Sequence, residues 1–190
     1  MLDPRTLFPV PPAEIWLEIG FGGGEHLAWQ AEHHPDVGFV GCEPFLNGLA
    51  SLLRTIEEKK LTNIRIHPDD ARLLMARLAP RSIGRCFIFF PDPWPKARHK
   101  KRRIVSTETL DWLAEAMRDG AELRLASDDA DYVQHMLETA GAHPAFRPVR
   151  IDEAETSVRP EGWPPTRYEE KARAKGAACR FLVFARRQRG

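Results

Sequence analysis

Residues Ile15 to Gly24 read IWLEIGFGGG, and this stretch decides the fold class. An apolar run, Ile15 to Ile19, passes directly into a cluster of glycines. Helical spacing starts at once beyond it, through His26, Leu27, Gln30 and Ala31. A short strand, a glycine turn and a helix open a βαβ unit. The same order recurs along the chain. Val37 to Cys42 (VGFVGC) reads as a second strand. Leu46 to Lys60 reads as a helix, with Leu49, Leu52, Leu53 and Ile56 in helical register. Ile64 and Ile66 alternate with charge and give a third strand, followed by a short helix from Ala71 to Leu78. Arg85 to Phe90 is the fourth strand. Ser106 is an N-cap for a helix running to Met117, Ala121 to Ala126 is the fifth strand, and Asp129 to Ala140 is a helix closed by Gly141. Phe181 to Phe184 reads as the last strand. Strands that alternate with helices predict the α/β class, with a mainly parallel sheet covered by helices on both faces.

At 190 residues and 43% hydrophobic, the chain predicts one domain spanning 1–190 with a sizeable core. Residues 1–14 form an N-terminal extension. Val158 to Thr166, with three prolines and a glycine, reads as loop, and 158–180 as a substrate-binding loop region. No apolar stretch approaches the length of a membrane span, and the first residues lack the pattern of a secretory signal. Three cysteines without a C-x-x-C point to neither a disulfide framework nor a zinc site. Cys42 and Cys86 read as small buried hydrophobes. The seven histidines show no metal-ligand spacing. These features predict a cytoplasmic protein without metal, a monomer or homodimer.

The net charge of +1 conceals an asymmetry. Residues 96–103 and 171–190 together hold thirteen of the 28 Lys and Arg and none of the 27 Asp and Glu. The local field therefore matters more than the total, and two basic runs point to a polyanionic partner.

In sheets of this class, ligands bind beyond the C-terminal ends of the strands. Acidic residues stand at five successive strand ends: Glu18, Glu43, Asp70, Asp92 and Asp128. The loop from Glu18 through Gly20, Gly22 and Gly24 allows close approach of a ligand to backbone. It fails the dinucleotide pattern G-x-G-x-x-G, because position 25 is Glu25 and position 27 is Leu27. An acid at its start suits a ligand with an amino group or a cationic centre. Glu43 is placed for ribose hydroxyls, and Asp70-Ala71 for an adenine amino group. The set points to S-adenosylmethionine.

The acceptor side is written in Phe89 to Arg103, FFPDPWPKARHKKRR. A strand delivers Asp92 to a stiff, proline-rich loop. Lys96, Arg98, His99, Lys100, Lys101, Arg102 and Arg103 follow as a track for an RNA backbone. Trp94 offers either packing or a stacking face for a base.

The elements E-I-G-F-G-x-G (Glu18 to Gly24), D-A (Asp70, Ala71), F-P-D-P-W-x-K-x-R-H-x-K-R-R (Phe90 to Arg103), S-D at Asp128 and T-R-Y-E (Thr166 to Glu169) resemble those of the bacterial tRNA (guanine-N7-)-methyltransferases. The resemblance spans about residues 15–185. It implies a Rossmann-like class I methyltransferase fold with a seven-stranded sheet, and methylation of a variable-loop guanosine of tRNA. It implies cofactor contacts at Glu18, Gly20, Gly22, Gly24, Glu43, Asp70 and Ala71. It also implies catalysis at Asp92, and substrate contacts at Lys96, Asp128, Thr166, Arg167, Tyr168 and Glu169. The chain departs from the family's usual T-K-F-E at Arg167 and Tyr168, and from its R-G and G-H at Lys171-Ala172 and Gly176-Ala177. Only 14 residues precede Ile15, where many relatives have a basic segment, so a truncated form is one expectation. The other functional readings are a methyltransferase of another RNA or of protein, and an RNA-binding module with a decayed cofactor site.

Overall fold

The computed structural model describes all 190 residues. Seven strands form one sheet in the order β3-β2-β1-β4-β5-β7-β6. They are β1 (Glu14–Ile19), β2 (Val37–Cys42), β3 (Ile64–His67), β4 (Ile83–Phe89), β5 (Met117–Ser127), β6 (Phe146–Arg150) and β7 (Arg180–Arg186). The pairs from β3 through β5 are all parallel, whereas β7 runs antiparallel to both β5 and β6. The central strands β1 and β2 and the second half of β4 are almost continuously apolar because helices cover both their faces.

The helices are α1 (Glu25–His33), α2 (Leu46–Lys59), α3 (Ala71–Met75), α4 (Thr107–Ala116), α5 (Ala130–Ala142), α6 (Glu153–Thr156) and α7 (Arg167–Ala174). The core splits across the sheet. A cluster of 28 buried residues packs α3, α4 and α5 on one face. The other face carries 17, under α1, α2 and α7. That smaller cluster is filled out by large rings, with Trp16, Phe39, Phe87, Phe89, Trp163 and Phe181 all buried, each ring bringing a large apolar area to few positions.

Local signals explain most of the elements. Ser106 caps α4 in a capping box with Thr109. The helix runs through Gly141 rather than stopping there, and α5 ends at Ala142 with His143 as its C-cap. The predicted loop region 158–180 contains α7, which starts at the cap Thr166. Cys42 and Cys86 are buried in strands as expected, and all three cysteines are free. No helix is long and apolar enough to cross a membrane. The connection from β1 goes outward to β2, whereas β4 returns to the other side of β1. That reversal is the topological switch point, where such sheets part and open a crevice.

Candidate active site

A cavity of about 720 Å³ opens at this switch point. The volume suits a nucleoside-sized ligand. One part of its wall comes from Gly20, Gly22, Glu43, Asp70 and Ala71 beyond β1, β2 and β3, and a second part from Asp92, Trp94, Lys101 and Arg102 in the segment after β4.

The first wall is built on backbone. Gly22 has φ +56°, and a Cβ there would lie 2.7 Å from Cε2 of Tyr168. The positive φ is what favours glycine here, since the half-exposed Tyr168 ring can move aside. The Gly22 N–H donates to Glu43 Oε2 at 2.8 Å, and the Phe45 N–H donates to Glu43 Oε1 at 3.0 Å. The buried carboxylate thus locks the β1–α1 loop to the end of β2. Asp70 caps α3 by accepting from the Arg72 N–H at 2.9 Å and pairs with the Arg72 side chain. Glu18 stands behind the loop and not among the cavity-lining residues. Its Oε2 lies 2.7 Å from His26 Nδ1, and Oε1 is left to other partners.

The second wall is held under backbone strain. Phe90 and Trp94 both take left-handed φ, +49° and +45°. These two residues bracket Pro91-Asp92-Pro93. Each such conformation costs about 1–2 kcal/mol outside glycine. The Phe90 N–H bonds the Ala126 carbonyl at 2.8 Å, and Arg103 Nε donates to the Pro93 carbonyl at 2.8 Å. Between these anchors Asp92 is exposed at the cavity wall. The Arg102 guanidinium lies 4.9 Å from the centre of the Trp94 ring.

The basic run splits by role. Ala97–Arg102 coil as a 3₁₀ helix entered from Lys96. Lys96, Arg98, Lys101 and Arg102 are exposed, and His99 is half-buried edge-on to Trp94 at 5.9 Å. Lys96 lies outside the cavity lining. Lys100 is committed to Asp131 at 2.8 Å. Arg103 does not belong to a phosphate track. Its side chain is 2% exposed, ion-paired with Asp131 and stacked 4.7 Å above Tyr132. Lys100 first, and then Arg103, hold the Asp131 carboxyl down at about 2, while burial pushes the Tyr132 phenol up to about 12.

The T-R-Y-E element is a helix start. Thr166 accepts from the Glu169 N–H at 3.1 Å. Tyr168 lies half out of the protein surface, lines the cavity and covers Gly22. Arg167 reaches toward Glu25 at 3.7 Å. Glu169 is corrected from a substrate contact to a structural one. It is 1% exposed, and it is clamped by Arg159 at 3.1 Å and Arg173 at 2.8 Å. Asp128 is exposed, and its neighbour Asp129 is the cap of α5. The second basic run is likewise redistributed. Because β7 is antiparallel, its end lies at the pole opposite the cavity. There Arg186 and Arg189 donate to the Ala114 carbonyl at 2.8 and 2.7 Å, closing the end of α4.

Known proteins carry the same architecture. A SAM-dependent O-methyltransferase from Thermotoga maritima superposes with a TM-score of 0.62 at 15% identity, over 98% of this chain and 64% of that one. An rRNA methylase from Streptococcus thermophilus gives 0.61 at 12%, over 92% and 87%. At such identity the likeness is one of fold. Residues 12–182 match the model of a family described as "Putative methyltransferase". The tRNA (guanine-N(7)-)-methyltransferase of Paramagnetospirillum magneticum is 49% identical over 189 residues, 99% of this chain and 79% of its own. That of Rhodospirillum rubrum is 47% identical, over 99% and 74%. The chain belongs to the tRNA (guanine-N7-)-methyltransferase family.

As a member of that family it is an S-adenosylmethionine-dependent enzyme, and its cavity fits the cofactor. Gly20 and Gly22 bring bare backbone at positive φ to the cavity, and the carboxylates of Glu43 and Asp70 line the same space. No metal-binding group accompanies them. Sequence reasoning missed His26 and Gln30, which are buried on α1 and bonded to each other. Their helical spacing carried only the sign of a core face. It also missed that Tyr168 belongs to the cofactor wall. The signal there was Thr166-x-x-Glu169, the pattern of a helix capping box.

Proposed function

We propose that this methyltransferase transfers a methyl group from S-adenosylmethionine to N7 of a guanosine in the variable loop of tRNA, in the cytoplasm, as a monomer or homodimer. The observation that carries the proposal is Asp92, held by a strained loop in the lining of the same cavity as the glycine loop, with the two exposed cations Lys101 and Arg102 in that lining.

When bound, the cofactor supplies a methyl group on a cationic sulfur, activated for attack. Guanine N7 is a neutral lone-pair nucleophile, so the protein need not remove a proton first. What it must supply is position and charge. Glu43 and Asp70 would hold the cofactor's hydroxyl and adenine amino groups from the cavity lining, and Glu18 would take its cationic amino group through Oε1 from beneath the loop. Asp92 would accept hydrogen bonds from the N1–H and exocyclic amine of guanine and so aim N7. The purine gains positive charge as N7 is methylated, and a carboxylate on its edge offsets that charge. Lys101 and Arg102 would hold phosphates, a sequence-independent and salt-sensitive contribution. Trp94 would give the base a stacking face.

Asp92→Ala should lower turnover on tRNA by about a hundredfold or more, while S-adenosylhomocysteine binds as to wild type. Near-normal turnover in this variant would show that Asp92 only shapes the turn.

A further inference from the structure

Three polar side chains pack beneath the cofactor loop. Glu18 near the end of β1, and His26 and Gln30 one turn apart on α1, are 4%, 1% and 1% exposed. His26 Nδ1 stands 2.7 Å from Glu18 Oε2, and His26 Nε2 stands 3.1 Å from Gln30 Nε2. Gln30 Nε2 also donates to the Gly162 carbonyl at 2.9 Å, across 132 positions of sequence. Gly162 lies in the loop that leads into α7.

Hydrogen-bond chemistry fixes the protons in this chain. A carbonyl only accepts, so Gln30 presents its amide nitrogen to Gly162. The second N–H of that nitrogen faces His26 Nε2, which must then accept and carry no proton. The ring's proton sits on Nδ1 and is donated to Glu18. Phe87 and Phe89 flank the ring edge-on, each with centroids 4.8 Å away. A position that only filled this aromatic core would be served by an apolar side chain. Burying polar groups here is unfavourable unless each is paired, and each of the three is.

We propose that His26 is a positioning residue of the methyl-transfer site. Its Nδ1–H turns the Glu18 carboxylate and leaves Oε1 for the cationic amino group of the cofactor. Gln30 fastens the same unit to the loop that leads into α7, the helix that sets Tyr168 over Gly22. The inference rests on the reading of the cavity as an adenosylmethionine site.

The test compares His26→Asn, His26→Gln and His26→Leu by calorimetric titration with S-adenosylhomocysteine. An asparagine amide nitrogen falls near the place of Nδ1, and a glutamine amide nitrogen near Nε2. His26→Asn should bind within about threefold of wild type, whereas His26→Gln and His26→Leu should bind about tenfold or more weakly, the loss expected of a hydrogen bond to a charged group. A leucine variant that binds like wild type, or a glutamine variant better than the asparagine one, would overturn the proposal. If His26→Leu does not fold, the order of the two amides decides alone. Gln30→Met should speed amide exchange across 158–175 while α1 stays protected; unchanged exchange there would overturn the link to Gly162. Wild-type protein that binds no cofactor would remove the site reading and this inference with it, and its own titration tells that case apart.

Discussion

Gly48 on the first turn of α2 gives a sharp test of how the cofactor loop is held. A Cβ at this position would lie 2.2 Å from the Gly22 carbonyl oxygen and 3.1 Å from Glu43 Cγ. The nearest obstacle is backbone, so no side-chain rotation relieves it. Ordinary carbon–oxygen contact is about 3.3 Å, so α2 or the loop must shift by about 1 Å. Helix propensity alone favours Gly48→Ala by about 1 kcal/mol, while overpacking costs about 1–3 kcal/mol. Net stability should therefore fall by no more than about 2 kcal/mol, or a few degrees in Tm for a chain of this size. Affinity should suffer more. The shift draws the Gly22 N–H off Glu43, a 2.8 Å bond. Bonds of this charged kind contribute about 1.5–3 kcal/mol, so Kd for S-adenosylhomocysteine should rise tenfold or more. Calorimetric titration and a thermal scan read the two quantities separately. A Gly48→Ala protein with raised Tm and unchanged Kd would refute the backbone contact and the role given to Glu43.

Three other outcomes follow from the same geometry. Replacing Lys101 and Arg102 with alanine should weaken tRNA binding and reduce the salt slope by about one per side chain; an unchanged slope would place the RNA elsewhere. Arg103→Ala should instead cost about 2 kcal/mol of stability through lost packing and pairing, with the salt slope intact, and a fall in slope would return Arg103 to the RNA track. Burial pushes Cys42 up to about 12, Cys86 well above its ordinary value, and Cys179 upward. Thiolate is the reactive form, so at pH 8 only about one Cys42 in ten thousand is reactive. Iodoacetamide should spare all three thiols in the folded protein and label them once it is unfolded; rapid native labelling would contradict their burial.

The central parallel strands were legible because burial on both faces leaves a continuous apolar run, as in VGFVGC at β2, and β3 because Ile64 and Ile66 alternate with charge. The site acids were legible for a topological reason: in a βαβ chain each strand end is a place in sequence, so Glu43, Asp70 and Asp92 could be assigned to one edge before any coordinates. Three elements were not legible, the shortest being the four-residue α6 (Glu153–Thr156). β6, Phe146–Arg150, buries only Phe146 and carries Pro148, as an edge strand can. α7 buries Glu169 and Ala172, and a helix whose main buried side chain is a glutamate shows no apolar period. The basic runs misled for a related reason. Composition counts charges but not their partners, and Arg103, Arg186 and Arg189 use their donors on Asp131 and on backbone carbonyls rather than on a ligand.

The central claim is that Asp92 aims a tRNA guanine at the cofactor wall. It is tested most directly by incubating the protein with unfractionated tRNA and labelled S-adenosylmethionine and mapping the methylated nucleotide. The label should appear on N7 of a variable-loop guanosine with wild-type protein and be lost with Asp92→Ala. A methyl group on another atom or another nucleotide, or equal labelling by the variant, would contradict it.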